Sequence, residues 1–338
     1  MHSNSVAAAP PVREPRHVPV AHVIRGGMVE GVHHGSVVVL GPGGGTAFRL
    51  GDADAAFYPR SAVKPLQAVA MVRAGLPLDG ALLSLAAASH SGEDRHLDAA
   101  RRILRLAGLT EDALGNVADL PLGPAVRDAW LRAGRAPSRL AQNCSGKHAA
   151  MLHTCVVNGW PLNGYLDPAH PLQQAIAAAV EDLTGQHVAR VSIDGCGAPL
   201  FAISLTGLAR AAARIVTAAP GTPEARVADA VREHPEMASG AGRDVAELMR
   251  AVPGLLAKDG YEGVQVAALP DGRAVAVKIA DGATRARIPV VAAALARAGV
   301  DPERLAPFTG EPLLGGGRPV GAVRAAPALG TPPVSACA

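Results

Sequence analysis

The chain has 338 residues, 49% of them apolar and 18% charged, with a formal net charge of +3. That is enough apolar material for a sizeable core. The positive excess is too small to point to nucleic acid or an anionic membrane as a partner, and four cysteines are too few for a disulfide scaffold.

Residues 1–17 are rich in Ala, Pro and polar residues and are expected to be disordered. They hold no apolar stretch of signal-peptide length, and no later run of 18 apolar residues predicts a membrane-spanning helix. A soluble, cytoplasmic protein is the expectation. Residues 18–57 read as strands with glycine-rich turns, and "GPGGGTAF" reads better as a hairpin turn than as a phosphate loop, since no lysine follows it. From Ser61 to about 251 the apolar period becomes helical, interrupted by strand character in "HVARVSI". Strands return in "GVQVAAL" and "RAVAVKIAD", joined by "PDG", which signals a hairpin. A further helix, "TRARIPVVAAALARAG", and one more strand near "GGRPVGAVRAA" complete the pattern before a tail at 326–338. Strands at both ends with helices between them predict one α/β domain over 18–325. Its sheet is built from 18–57 plus 255–325, and a helical subdomain, 60–251, is inserted into it.

The positive charge is almost all arginine: of 32 Lys plus Arg, the lysines are Lys64, Lys147, Lys258 and Lys278. A buried lysine can give up its proton and act as a base or a ligand, which arginine cannot. The surviving lysines are therefore candidates for chemistry. "YPRSAVKP" places Ser61 three residues before Lys64 at a strand-to-helix junction, where a neutral lysine can activate a serine. Arg60, next to Ser61, supplies a nearby cation. "AAASHSGEDRH" presents Ser89 and His90 at the end of an apolar helix, then Ser91 as the expected N-cap of the next. "AQNCSGKHAAM" sets Cys144 three residues before Lys147, with His148 adjacent. "SIDGCGAP" places Asp194 and Cys196 in a tight loop after a strand. The two loop cysteines fit a zinc half-site or two unrelated reduced thiols; a redox pair is the third option. In "LLAKDGYEG", Lys258 stands beside an Asp-Gly turn, either as an exposed turn lysine or as the amine partner of a second serine.

In order along the chain, "YPRSAVKP", "ASHSGEDRH", "NCSGKHAAML", "DGCGAP", "HPEM" with "GR" after it, and "VKIADG" resemble the class 3, rhizobial-type L-asparaginases of the asparaginase II family. The resemblance runs from about residue 25 to 324. It implies a fold similar to serine β-lactamases and glutaminases, and a homodimer that hydrolyses L-asparagine to L-aspartate and ammonia. It also implies two Ser-Lys tandems, Ser61 with Lys64 and Ser89 with Lys258, and a zinc ion on Cys144, Lys147 and Cys196. Lys278 falls in a family block without an assigned role. Where well-known members carry another cysteine, this chain has Val245.

The expected mechanism is acyl transfer. Ser61 is the nucleophile, Lys64 its base, and Ser89 and Lys258 relay protons or orient the substrate, with Ser89 as the alternative nucleophile. Arg60 and Asp194 are candidates for reading the α-carboxylate and α-ammonium, and His148 joins them as a substrate-binding candidate. Zinc is expected to organise the pocket. The rival readings are a penicillin-recognising hydrolase, which lacks a K-T-G strand here, a glutaminase or other Ser-x-x-Lys amidase, and a non-catalytic asparagine sensor.

Overall fold

The protein is described here by a computed structural model covering residues 14–330. Most of the expected disordered segment, most of the expected tail and Cys337 lie outside the described residues.

The N-terminal strands β1 (Val18–Arg25), β2 (Met28–Leu40) and β3 (Thr46–Leu50) form an antiparallel meander, and β2 and β3 are joined by the predicted glycine turn. A two-residue strand, β4 (Ala56–Phe57), leads through a 3-10 turn, Arg60–Val63, into α1 (Lys64–Arg73). Then come α2 (Gly80–Ala86), α3 (Asp94–Leu106), α4 (Pro124–Arg132), α5 (Ser145–Asn158) and α6 (Pro171–Thr184). The hairpin β5 (Arg190–Ile193) and β6 (Pro199–Ser204) pairs with β4 into a small three-stranded sheet inside the helical part. Four helices follow: α7 (Leu205–Val216), α8 (Pro223–Glu233), α9 (Pro235–Ala238) and α10 (Asp244–Ala251). The chain returns to the main sheet with β7 (Leu256–Gly260), β8 (Val264–Ala268) and β9 (Ala274–Ile279), then α11 (Thr284–Arg297), α12 (Pro302–Leu305), β10 (Gly310–Gly315) and β11 (Arg318–Ala325).

The main sheet has the order β10-β11-β1-β2-β9-β8-β7, with β3 on the end of β2. Both ends of the chain therefore build one sheet, as the strand pattern predicts. β2 joins the halves through an antiparallel register with β9, from Gly35↔Ile279 to Leu40↔Ala274. Consecutive residues Gly35–Leu40 and the whole of β8 are buried, so both sheet faces are covered there; α7 and α11 provide the cover. The mostly β-branched run "VVVL" in β2 suits such a doubly packed strand.

The helical part is closed by local signals of ordinary kind. Ser204 caps α7 through Gly207 N, Thr222 caps α8 through Ala225 N, and both α5 and α6 stop at a left-handed glycine, Gly159 and Gly185. At α3 the cap differs from expectation. The N-cap is Glu93, not Ser91, in a capping box whose reciprocal partner is His96. Ser91 instead donates its N–H to Ser239 O, because segment 88–91 runs extended alongside 238–239.

Candidate active site

Three of the four lysines are buried: Lys64 at 1% exposure, Lys147 at 2% and Lys258 at 1%. Their surroundings define the site. Lys64 opens α1, with Pro65 behind it at a position where a missing N–H costs nothing. Its Nζ donates to Ser89 Oγ at 3.0 Å, to Ala88 O at 2.5 Å and to Cys144 Sγ at 3.0 Å. Ser61, one turn earlier in the 3-10 segment, is half-buried, and its carbonyl accepts the Lys64 N–H. Lys64 thus shares a turn with Ser61 and hydrogen-bonds Ser89. The residue before Ser61, Arg60, has φ +51°, a left-handed value that a non-glycine residue holds only where its surroundings enforce it.

The 3-10 segment lies against β7. Gly260, at the end of that strand, permits the approach: a Cβ there would stand 2.5 Å from Pro59 O and 3.1 Å from Ala62 N. Lys258 is in the same strand, paired with Val266, and not in an Asp-Gly turn. The turn comes later, at Tyr261–Gly263, where Glu262 has φ +61°. The Lys258 Nζ gives its hydrogen bonds to Asp259, at 2.6 Å to Oδ1 and 2.7 Å to the carbonyl. Burial pushes Lys258 down to about 8; Asp259 opposes that shift and Lys64 adds to it. Asp259 sits well below the usual carboxylate range. Its burial works the other way, but Lys258 and Arg243 outweigh it. Ser89 and Lys258 are linked through Arg243 and Asp259: Arg243 donates to Ser89 O and to Asp259 Oδ2, each at 2.8 Å.

Cys144, Lys147 and Cys196 come together on the far side of Lys64. Cys144 is the N-cap of α5, Lys147 lies in its first turn, and Cys196 sits in the β5–β6 hairpin turn. Gly146 lets α5 press on α2, since a Cβ there would be 2.8 Å from Leu85 O. Lys147 Nζ donates to Cys196 Sγ at 3.3 Å. A hydrogen bond from Cys144 and the Lys147 charge hold Cys196 down to about 5, against its burial, while the same bond and burial push Cys144 up to about 12. Lys147 is raised despite burial, by the charges of Cys196 and Cys144. The two sulfurs and the Lys147 amine thus face one another inside the fold. Among the described residues no three His, Cys, Asp or Glu side chains are grouped to hold a metal; here the third donor is a lysine. Two soft sulfurs and an amine that a divalent ion can strip of its proton fit zinc in donor type.

Arg60 and Asp194 meet, with Arg60 Nε donating to Asp194 Oδ1 at 2.8 Å while the guanidinium lies over the Tyr261 ring. Asp194 is held below its ordinary value against its burial by Lys147 and the Arg60 bond. His148 is fully enclosed, its Nδ1 hydrogen-bonded to the Tyr165 hydroxyl at 2.7 Å and its Nε2 without a protein partner. Lys278, in β9, donates to Glu262 O in the β7–β8 turn and to Ile279 O in its own strand. Val245 is buried in the first turn of α10. Sequence reasoning missed Arg243, Asp259 and Tyr165. Asp259 was visible only as half of an Asp-Gly pair, and Arg243 as part of the "GR" block with no partner in view.

The L-asparaginase II family profile matches residues 21–325. The chain belongs to that family. It is an amidohydrolase of the asparaginase type. Comparison with curated proteins finds no match. Among solved structures the chain is similar to a β-lactamase from Mycobacterium bovis, at 14% identity over 74% of this chain and 88% of that one, with a TM-score of 0.40. It is also similar to a putative β-lactamase from Bacteroides dorei, at 17% identity over 72% and 84%, TM-score 0.37, and to Mglu, at 18% over 80% and 67%, TM-score 0.36. These likenesses are too distant to bear on the reaction. No helix among the described residues is long and apolar enough to cross a membrane.

Proposed function

We propose that this family member hydrolyses the side-chain amide of L-asparagine to L-aspartate and ammonia through a serine acyl-enzyme. The observation that carries the reading is the buried Lys64, which shares a turn with half-exposed Ser61 and places its Nζ 3.0 Å from the Ser89 hydroxyl. A base within hydrogen-bond reach of a serine is the arrangement nucleophilic catalysis needs.

Ser61 is the nucleophile in this proposal, because it is the more open of the two serines and follows a strained residue. Its oxygen attacks the amide carbon as its proton passes to Lys64. The C–N bond then breaks, the proton leaves with ammonia, and water hydrolyses the ester. Backbone N–H groups around Ser61 serve as oxyanion donors, each worth about 3 kcal/mol in comparable sites. Arg60 and Asp194 read the charged end of the amino acid. Cys144, Lys147 and Cys196 would hold a zinc ion. Bound there, it would supply a fixed positive charge that ties α5 to the β5–β6 turn beside the pocket. The resemblance also supports a homodimer.

The direct Lys64–Ser89 hydrogen bond favours a second reading, with Ser89 as nucleophile. Ammonia release from L-asparagine, with L-glutamine in parallel, tests both. The expected result is turnover of asparagine by the wild type that Ser61→Ala loses by at least about a hundredfold, with the protein still folded. Turnover that survives in Ser61→Ala and disappears in Ser89→Ala moves the nucleophile. Folded, zinc-loaded wild type that releases no ammonia from either amide removes the proposal and leaves a binding protein. Preference for glutamine makes it a glutaminase.

A further inference from the structure

Arg243, in the loop before α10, is partly buried, and its guanidinium has two partners of different kind. One nitrogen, Nη1, donates to the carbonyl of Ser89 at 2.8 Å. The other, Nη2, donates to Asp259 Oδ2 at 2.8 Å. The opposite oxygen of that carboxylate, Oδ1, takes the Lys258 ammonium at 2.6 Å. Ser89, for its part, accepts Lys64 on its hydroxyl and gives its own N–H to Ala238 O. One planar fork therefore spans from the segment that carries Ser89 and meets Lys64 to the strand that carries Lys258.

We propose that Arg243 is a positioning residue for amide hydrolysis, which holds Ser89 and its Lys64 partner at a fixed distance from the Lys258–Asp259 pair. This rests on the amidase reading above. The geometry requires arginine in particular. A guanidinium presents parallel N–H donors to two acceptors at once and keeps its charge, whereas an ammonium is a point donor on a flexible stem. Among the described residues, the Arg243 side chain hydrogen-bonds both Ser89, beyond the end of α2, and Asp259, in β7. Arg243 also adds to the charge around Lys258, whose charged neighbours are Asp259, Lys64 and Arg243. Asp259 in turn faces Lys258, Arg243 and Arg287. Withdrawing Arg243 takes away a like charge and moves Lys258 upward. Neutralising Asp259 withdraws its opposing charge and moves Lys258 downward.

The experiment measures kcat, KM and the pH–rate profile for asparagine in wild type, Arg243→Lys, Arg243→Ala and Asp259→Asn, with thermal midpoints alongside. Misplacing catalytic groups by about 1 Å costs on the order of a hundredfold in rate. The expected result is therefore a kcat loss of about that size in Arg243→Ala, with KM changed less than about threefold. Millimolar guanidinium should restore part of it, Arg243→Lys should restore little, and the rate inflection that reports Lys258 should move up in Arg243→Ala and down in Asp259→Asn. Wild-type kcat in Arg243→Ala overturns the inference. So does a kcat loss that guanidinium does not relieve and that leaves the pH profile unmoved, since that is the mark of a merely structural arginine. Inactive wild type would instead overturn the amidase reading itself.

Discussion

At the scale of single residues, the lysine census was the most productive signal in the sequence. Lys64, Lys147 and Lys258 each end in a buried polar cluster, whereas Lys278 props a turn. An arginine at these places could not release a proton. Lys64→Arg is accordingly expected to fold but to lose at least about a hundredfold in kcat, as the loss of a general base does. Near-wild-type turnover in Lys64→Arg, measured as ammonia release, would show that Lys64 is not the base. What the residue scale could not supply was pairing. Spacing put Ser61 with Lys64, and the family pattern put Ser89 with Lys258. The fold sends Lys64 to Ser89 and Lys258 to Asp259. Partners separated by 25 residues leave no trace in local spacing.

Among the elements, those with a clean period were legible. The β8–β9 hairpin, the β2–β3 hairpin and the long amphipathic helices follow from alternation, turn chemistry and 3.6-residue repeats. β6 was not, because "PLFAIS" is apolar up to its last residue, is buried at every position and runs directly into α7, so no alternation marks it. β10 has two glycines and a proline in six residues and looks like a loop. β7 was read as a turn because "KDG" is turn chemistry, yet the strand is held by five pairs to β8. Its closing glycine gives a prediction at this scale. Gly260→Ala must push the 3-10 segment away from β7, because the added carbon meets the Pro59 carbonyl. Overpacking of this kind costs about 1–3 kcal/mol, and the displaced Ser61 should lower kcat further than the stability loss explains. A Gly260→Ala variant with the wild-type denaturation midpoint and kcat would refute the contact's importance.

On the scale of the whole molecule, two properties depend on many elements at once. The first is the response to a chelator: Cys144 and Lys147, at the start of α5, are far in sequence from Cys196 in the β5–β6 turn, so a zinc ion on them would tie two parts of the fold. Dialysis against a chelator is expected to remove about one zinc per chain and to lower the thermal midpoint, since an ion that binds only the folded state stabilises it by mass action. A protein purified without zinc, whose midpoint is unmoved by added zinc, would contradict this. Acid sensitivity is the second. His90 is fully buried, and burial with the charges of His96, Lys64 and Arg243 keeps its pKa well below the ordinary 6.5. The folded state holds it neutral while the unfolded chain takes up a proton near pH 6.5. Its contribution is therefore complete above that pH and declines as the pH falls. The slope is about 1.4 kcal/mol per pH unit for one such group. Denaturant titrations at about pH 7 and pH 5 should show that loss, and His90→Gln should flatten it by about one proton. Equal stability at both values would contradict it.

The sequence by itself determined which residue types are the candidates for chemistry and that strands from both ends share a sheet, because those are matters of composition and local period. It also determined the family, since six short blocks keep their order along the chain. The tertiary structure alone decided that Lys64 Nζ meets Ser89 and Lys258 Nζ meets Asp259, that Arg243 and Asp259 stand between the two lysines, and that the Lys147 amine faces the Cys196 sulfur. Those are contacts across separate elements, where burial strengthens each charge's hold on its neighbour and only the closed fold brings the partners within reach.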